Sequence, residues 1–261
     1  MTLLLTDVTK FGIVFAADRQ LVGHRQRTEK AQKVFPLERL NAAIAYFGQA
    51  YVGSKRMDRW LDRFIDEHCE IYSLEQLAHV LGTALEKGLV GKQRSQFLGF
   101  HLAGYVKQDG LTCPTFWFVR NFEHLDTTTF KYHGILAHFR VSEEILGHHL
   151  EDLTPRQLNA LLAQGDILCF CNGTLEPYVG PTKGLQPSSL TEYTDDVLTR
   201  MTLTIQRCRQ SSAKPPPIEG GPDIITVPVP SGAEPKRGTE RIIRPQVTSS
   251  SATIHTIHTP P

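Results

Sequence analysis

The chain has 261 residues, enough for one sizeable core, and its 40% hydrophobic and 21% charged residues are those of a globular protein. Lys and Arg number 28 against 27 Asp and Glu, and a net charge of +1 excludes a general attraction to nucleic acid or an acidic membrane surface. No run approaches the ~20 apolar residues of a membrane span, and no basic region precedes the Leu3–Leu5 triplet, so neither a membrane nor a signal peptide is expected and the setting expected is cytoplasmic.

In chain order, Leu3–Val8 and Ile13–Ala17 read as strands separated by a glycine-containing turn, and Asn41–Phe47 is a third apolar run. Residues 54–71 carry Met57, Trp60, Leu61, Phe64 and Ile65 at three- and four-residue steps, which predicts a helix with one buried face. A second helix is expected over 73–91, opened by Ser73 with Gln76 three residues on, and striped by Leu74, Leu77, Ala78, Leu81 and Leu85. Residues 96–106 and 114–120 return to strand character without a clean polar face, as in a sheet covered on both sides. Thr154-Pro155-Arg156-Gln157 opens a third helix with an N-cap, a first-turn proline and a capping-box glutamine. Ile167–Cys171 reads as a buried strand, 190–210 as a long amphipathic helix, and Gly220–Val227 as a closing strand. The expected division is one domain over 1–229 and a disordered Pro/Ser/Thr-rich tail over 230–261, too polar to bury its own surface. Strands, helices, strands and helices in this order predict an α+β protein.

Two features carry the chemistry. Removal of Met1 would leave Thr2 with both a hydroxyl and a free α-amine, a nucleophile and a base in one residue. The reference pKa of such an amine is about 7.7–8.0, so it can accept a proton near neutrality. A nearby lysine ammonium favours its neutral form, and Lys33 is the candidate, with Asp18 holding that ammonium in place.

The order of Thr2, a strand, a turn, a strand ending Ala16-Ala17-Asp18-Arg19, and a loop ending Gln32-Lys33-Val34-Phe35 resembles the proteasome β-subunits. These belong to the N-terminal-nucleophile hydrolases, and the likeness is greatest to the bacterial proteasome-like peptidases. The Thr-to-Asp spacing matches the family's without a gap, and the lysine matches after one loop residue is dropped. Gly220-Gly221-Pro222-Asp223-Ile224-Ile225 resembles the family's closing strand, so the likeness spans roughly residues 2–229 in element order.

The resemblance implies a four-layer αββα sandwich and a threonine-type endopeptidase. It implies that Thr2, Asp18 and Lys33 are catalytic, that the Gly48 N–H serves the oxyanion, and that Leu21, Ala31 and Phe35 line an apolar substrate pocket. Peptides or unfolded proteins are the implied substrates. The implied assembly is a homo-oligomeric ring, with the helices at 54–71 and 73–91 as ring contacts. No cofactor is implied, and any ATP would act through a separate unfoldase. One departure stands out: the family's Gly-Ser pair, whose serine supports the N-terminal amine, corresponds to Lys131-Tyr132-His133-Gly134-Ile135-Leu136, which has no serine. His133 or a water would have to stand in. Two alternatives stay open: a catalytically silent ring or scaffold subunit, and an amidase of the same superfamily acting on a non-peptide substrate.

Other patterns carry less. His133, His138, His148 and His149 with Glu143 and Glu144 fit no zinc spacing, so no metal is expected. The five cysteines include no Cys-x-x-Cys pair and read as reduced thiols, with Cys169 and Cys171 on one face of a strand as core. Asn172-Gly173-Thr174 marks a turn, and there is no Walker or dinucleotide fingerprint.

Overall fold

The computed structural model describes residues 3–22, 28–126, 131–145, 153–173, 187–210 and 221–230. Strand β1 (Leu3–Thr9) turns into β2 (Gly12–Asp18) through a loop organised by Thr9. The Thr9 hydroxyl donates to the Gly12 carbonyl at 2.9 Å and accepts the Phe11 and Gly12 N–H groups. Every residue of both strands is buried, which requires cover on both faces. A ribbon of β3 (Gln20–Val22) and β4 (Thr28–Lys30) follows, then β5 (Val34–Leu37) and β6 (Ala42–Gly48). Next come a short hairpin, β7 (Tyr51–Val52) with β8 (Lys55–Arg56), and helices α1 (Met57–Glu67) and α2 (Leu74–Gly88). Three long strands follow: β9 (Leu98–Gln108), β10 (Leu111–Asp126) and β11 (Lys131–Glu143). Helix α3 (Pro155–Gln164), β12 (Leu168–Gly173), α4 (Leu190–Gln210) and β13 (Pro222–Pro228) complete the described chain.

The strands form two principal sheets, both antiparallel: β12-β1-β2-β13 and β11-β10-β9-β6-β5. The pleat sorts their side chains. Leu4, Val8, Ile13, Phe15 and Ala17 meet Ala45, Phe47, Phe116 and Phe118 of the second sheet in a core between the sheets. Phe116 of β10 stacks on Phe170 of β12 with ring centroids 4.0 Å apart, so one aromatic pair joins the two sheets. Burial of each such ring contributes about 1.5–3 kcal/mol. The opposite face of the first sheet (Leu3, Leu5, Val14, Ala16) packs under Tyr193, Val197, Met201 and Ile205 of α4. The opposite face of the second (Ile44, Tyr46, Phe100, Leu102) packs under Met57, Leu61, Leu77 and Leu81 of α1 and α2. The result is the expected α+β, four-layer αββα sandwich. Helix α3 is not on an outer face: Leu158 and Leu162 enter the core between the sheets.

The elements differ from the sequence-based expectation where local backbone intervenes. The helix expected over 54–71 starts at Met57, because Gly53 at φ +59° turns residues 51–56 into the β7–β8 hairpin. The helix expected over 73–91 ends at Gly88, whose Cα lies so close to Val52 that a Cβ would fall 2.6 Å from Val52 Cγ1. Strand β10 runs past its expected end at 120, with a bulge between Arg120 and Phe122. Its partner β11 is an edge strand of mostly exposed residues, and its sequence carries no regular alternation to announce it. Among the described residues no helix is long and apolar enough to cross a membrane.

Candidate active site

Asp18 is the last residue of β2, and its carboxylate is wholly enclosed. The Leu3 N–H donates to Oδ1 at 2.8 Å and the Gln20 N–H donates to Oδ2 at 3.0 Å. Lys33 Nζ lies 3.2 Å from both oxygens, so the ammonium is shared across the carboxylate. Both side chains have 0% exposure. A buried pair of this kind holds its desolvated charges only through such hydrogen bonds. Asp18 thus receives three different donors: a lysine, the residue two places on, and the main chain at the start of β1.

Three strands place Lys33. The Asp223 carboxylate of β13 accepts the Lys33 N–H at 3.1 Å and the Val34 N–H at 3.4 Å. Asp223 is the register partner of Ala17, and Pro222 that of Asp18, so β13 delivers it beside the end of β2. From the other sheet, the Tyr46 N–H donates to the Lys33 carbonyl at 3.1 Å. Asp18 therefore fixes the lysine's side chain, while Asp223 and β6 fix its main chain. The role of Asp223 was missed in the sequence. The only signal was an aspartate set in a mostly apolar closing strand.

Burial dominates the electrostatics. It pushes the Asp18 carboxyl up from its ordinary value, against the Lys33 charge and the Leu3 and Gln20 N–H groups that pull it down. Burial likewise pulls the Lys33 ammonium down, against the charges of Asp18 and Asp223 that hold it up. Lys33 therefore releases its proton more readily than a solvated lysine does.

Thr2 lies outside the described residues, as do His148, His149 and the segment 231–261. The residue that follows Thr2 in sequence, Leu3, has its N–H on Asp18. Gly48 ends β6 opposite Leu98 and is exposed, with φ +96°. A Cβ there would fall 2.1 Å from the Phe97 carbonyl oxygen, so both conformation and space require glycine. Gly48 lies two residues, about 7 Å along β6, beyond Tyr46, whose N–H bonds to Lys33. Leu21 and Ala31 are buried on either side of the β3–β4 ribbon, where the Ala31 N–H donates to the Arg19 carbonyl at 2.9 Å. Phe35 faces the other way, into the core beneath α1 and α2. Asp18 and Lys33 are brought into contact, then, and Phe35 is not brought to them.

His133 is exposed on β11 with its ring stacked on His124 at 5.3 Å. Among the described residues no three His, Cys, Asp or Glu side chains converge as a metal site would require. Cys169 and Cys171 sit beneath α4 with their sulfurs 3.3 Å apart.

No family model matches the sequence, and no curated protein matches it. Similar solved structures include those of Anbu. The chain resembles Anbu from Hyphomicrobium sp. strain MC1 at 13% identity, over 87% of this chain and 82% of that one, with a TM-score of 0.47. The Gly-1 mutant of that protein is similar at 14% identity over the same shares, with a TM-score of 0.41. Anbu from Yersinia bercovieri, described as an ancestral β-subunit, is similar at 12% identity over 92% of this chain and 85% of that one, with a TM-score of 0.48. What the site can do rests on its own residues.

Proposed function

We propose that the protein is an N-terminal-nucleophile hydrolase, a threonine-type endopeptidase whose nucleophile is Thr2 after loss of Met1. One observation carries the reading: a fully buried Asp18–Lys33 pair whose carboxylate also holds the N–H of Leu3, the residue that follows Thr2. In the proposed reaction the Thr2 oxygen attacks a peptide carbonyl, and its proton passes to the free α-amine, kept neutral by the nearby Lys33 charge. The Gly48 N–H stabilises the oxyanion. The C–N bond breaks as the leaving amine takes that proton, giving a Thr2 ester. Water, deprotonated by the same α-amine, then releases the acyl group and restores the hydroxyl.

In this reading residues 1–229 are the catalytic domain, residues 230–261 are an appended tail, and copies of the chain close into a cytoplasmic ring around peptide or unfolded-protein substrates. A second reading, a silent ring subunit, is favoured by one observation: Lys131–Leu136 supplies no serine to the N-terminal amine. Intact-mass measurement and labelling with a threonine-directed electrophile separate the two. The peptidase reading expects protein lacking Met1, labelled on Thr2, with fluorogenic peptides cleaved by the native chain and not by Thr2→Ala. Retained Met1 would sink it, and a free but unlabelled Thr2 would favour the silent subunit. Cleavage of small amides with peptides left intact would point to a non-peptide amidase.

A further inference from the structure

We propose that Tyr132 is a positioning residue that couples the start of β1, where the nucleophile is attached, to the end of β6, where Gly48 lies; the inference rests on the peptidase reading above. Two independent sets of contacts carry it. The first is a hydrogen-bond chain across the core. The Gly173 N–H donates to the Tyr132 hydroxyl, and that hydroxyl donates to Asn172 Oδ1 at 3.4 Å. Asn172 Nδ2 donates to His101 Nε2 at 2.9 Å, which leaves His101 Nδ1–H to donate to Thr6 Oγ1 at 2.9 Å. Each bond of this run joins a donor to an acceptor, and every group belongs to β1, β9, β11 or β12. Both ends of the run rest on β1, because Gly173 is the register partner of Leu3 and Thr6 belongs to that strand. The chain therefore grips the first four described residues of β1 at both ends.

The second set is aromatic. The Tyr132 ring stacks on Phe47 with centroids 5.6 Å apart and planes at 28°, and meets Phe122 edge-on at 4.6 Å. Phe47 directly precedes Gly48 and is itself wedged: a Cβ on Gly99 would fall 2.5 Å from its ring. Tyr132 thus contacts a neighbour of each half of the candidate site: by its hydroxyl it meets β12, which pairs with β1, and by its ring it meets Phe47, next to Gly48. Tyrosine loses only two side-chain torsions in doing so, which suits a spacer. These contacts are with neighbours of the reacting groups, so the role assigned is positioning, not catalysis.

Tyr132→Phe keeps the ring and removes the hydroxyl. The proposal expects at least about a tenfold fall in kcat and in the rate of Thr2 labelling, with KM changed by less than about twofold, since misplacement of reacting groups acts on the chemical step. Val197→Ala, beneath α4, serves as a control for lost stability alone. Full kcat in Tyr132→Phe would overturn the proposal, and so would an equal fall in Val197→Ala at equal loss of Tm. A second readout does not depend on activity: amide exchange in Tyr132→Phe should quicken together in residues 3–6 and 46–48. Unchanged exchange in either segment would also overturn it. A wild-type protein that is unlabelled and inactive sinks the peptidase reading instead, and the exchange measurement still decides the coupling.

Discussion

Asp18 and Lys33 stabilise one another only as a pair. Asp18→Asn leaves a buried ammonium facing a neutral amide and is expected to cost about 3–5 kcal/mol in urea unfolding. The double variant Asp18→Asn/Lys33→Met removes the stranded charge and should recover much of that loss while peptide cleavage stays absent. Equal stability of single and double variants would show that the charges do not interact. His101 makes a different prediction. Buried in the core, it is held neutral, its pKa lowered by burial to about 3 from 6.5. The unfolded chain takes up a proton below pH 6.5 and the folded one does not, so acid favours unfolding. The stability from this group is complete above pH 6.5 and is lost as pH falls toward 3. Between pH 7 and pH 5 the loss should be about 2 kcal/mol. Urea melts at the two pH values should show it in the wild type and show much less of it in His101→Gln.

At the scale of elements, local codes worked where they are local. Thr154 and Gln157 cap α3 reciprocally, the Gln157 N–H donating to Thr154 Oγ1 at 3.3 Å and the Thr154 N–H donating to Gln157 Oε1 at 2.8 Å. Thr154→Ala should cost about 1 kcal/mol, read as a lower Tm with faster amide exchange in the first turn of α3. These residues, like the periodic stripe of 190–210 and the apolar runs of β1 and β2, are legible because their partners lie within a few positions. Strand β11 was not legible, since an exposed edge strand needs neither alternation nor strong propensity once β10 offers its backbone. Nor was the start of α1, where the β7–β8 hairpin is held by the Ala50 carbonyl accepting the Met57 N–H at 2.8 Å.

Over the whole molecule, the sandwich explains why a site can form at the ends of β2 and β5. Two sheets packed face to face bring β2, β6 and β13 within hydrogen-bond reach of a single lysine. The last described strand ends at Pro228, and the proposed tail follows it in sequence. If the segment is too polar to bury its own surface, deletion of 231–261 should leave Tm within about 1 °C of the full chain. Sedimentation of both forms reads the proposed assembly: a ring should run far above monomer mass, and loss of the large species on truncation would assign the tail to assembly.

By itself the sequence determined the elements built from local periodicity and caps, the layered α+β class, and the spacing that singled out Thr2, Asp18 and Lys33. It could do so because strand alternation, helical stripes and capping are short-range, and a family-like spacing is written along one chain. Tertiary structure alone decided that Asp18 and Lys33 meet unsolvated, that Asp223 from 190 residues away holds the lysine's main chain, and that Phe35 turns toward the helices. It also decided the Thr6–His101–Asn172–Tyr132 chain, whose members lie on four strands. Contacts between residues so distant in sequence depend on register and on the stacking of two sheets, and a one-residue register slip of any of these strands would send its side chains to the opposite face.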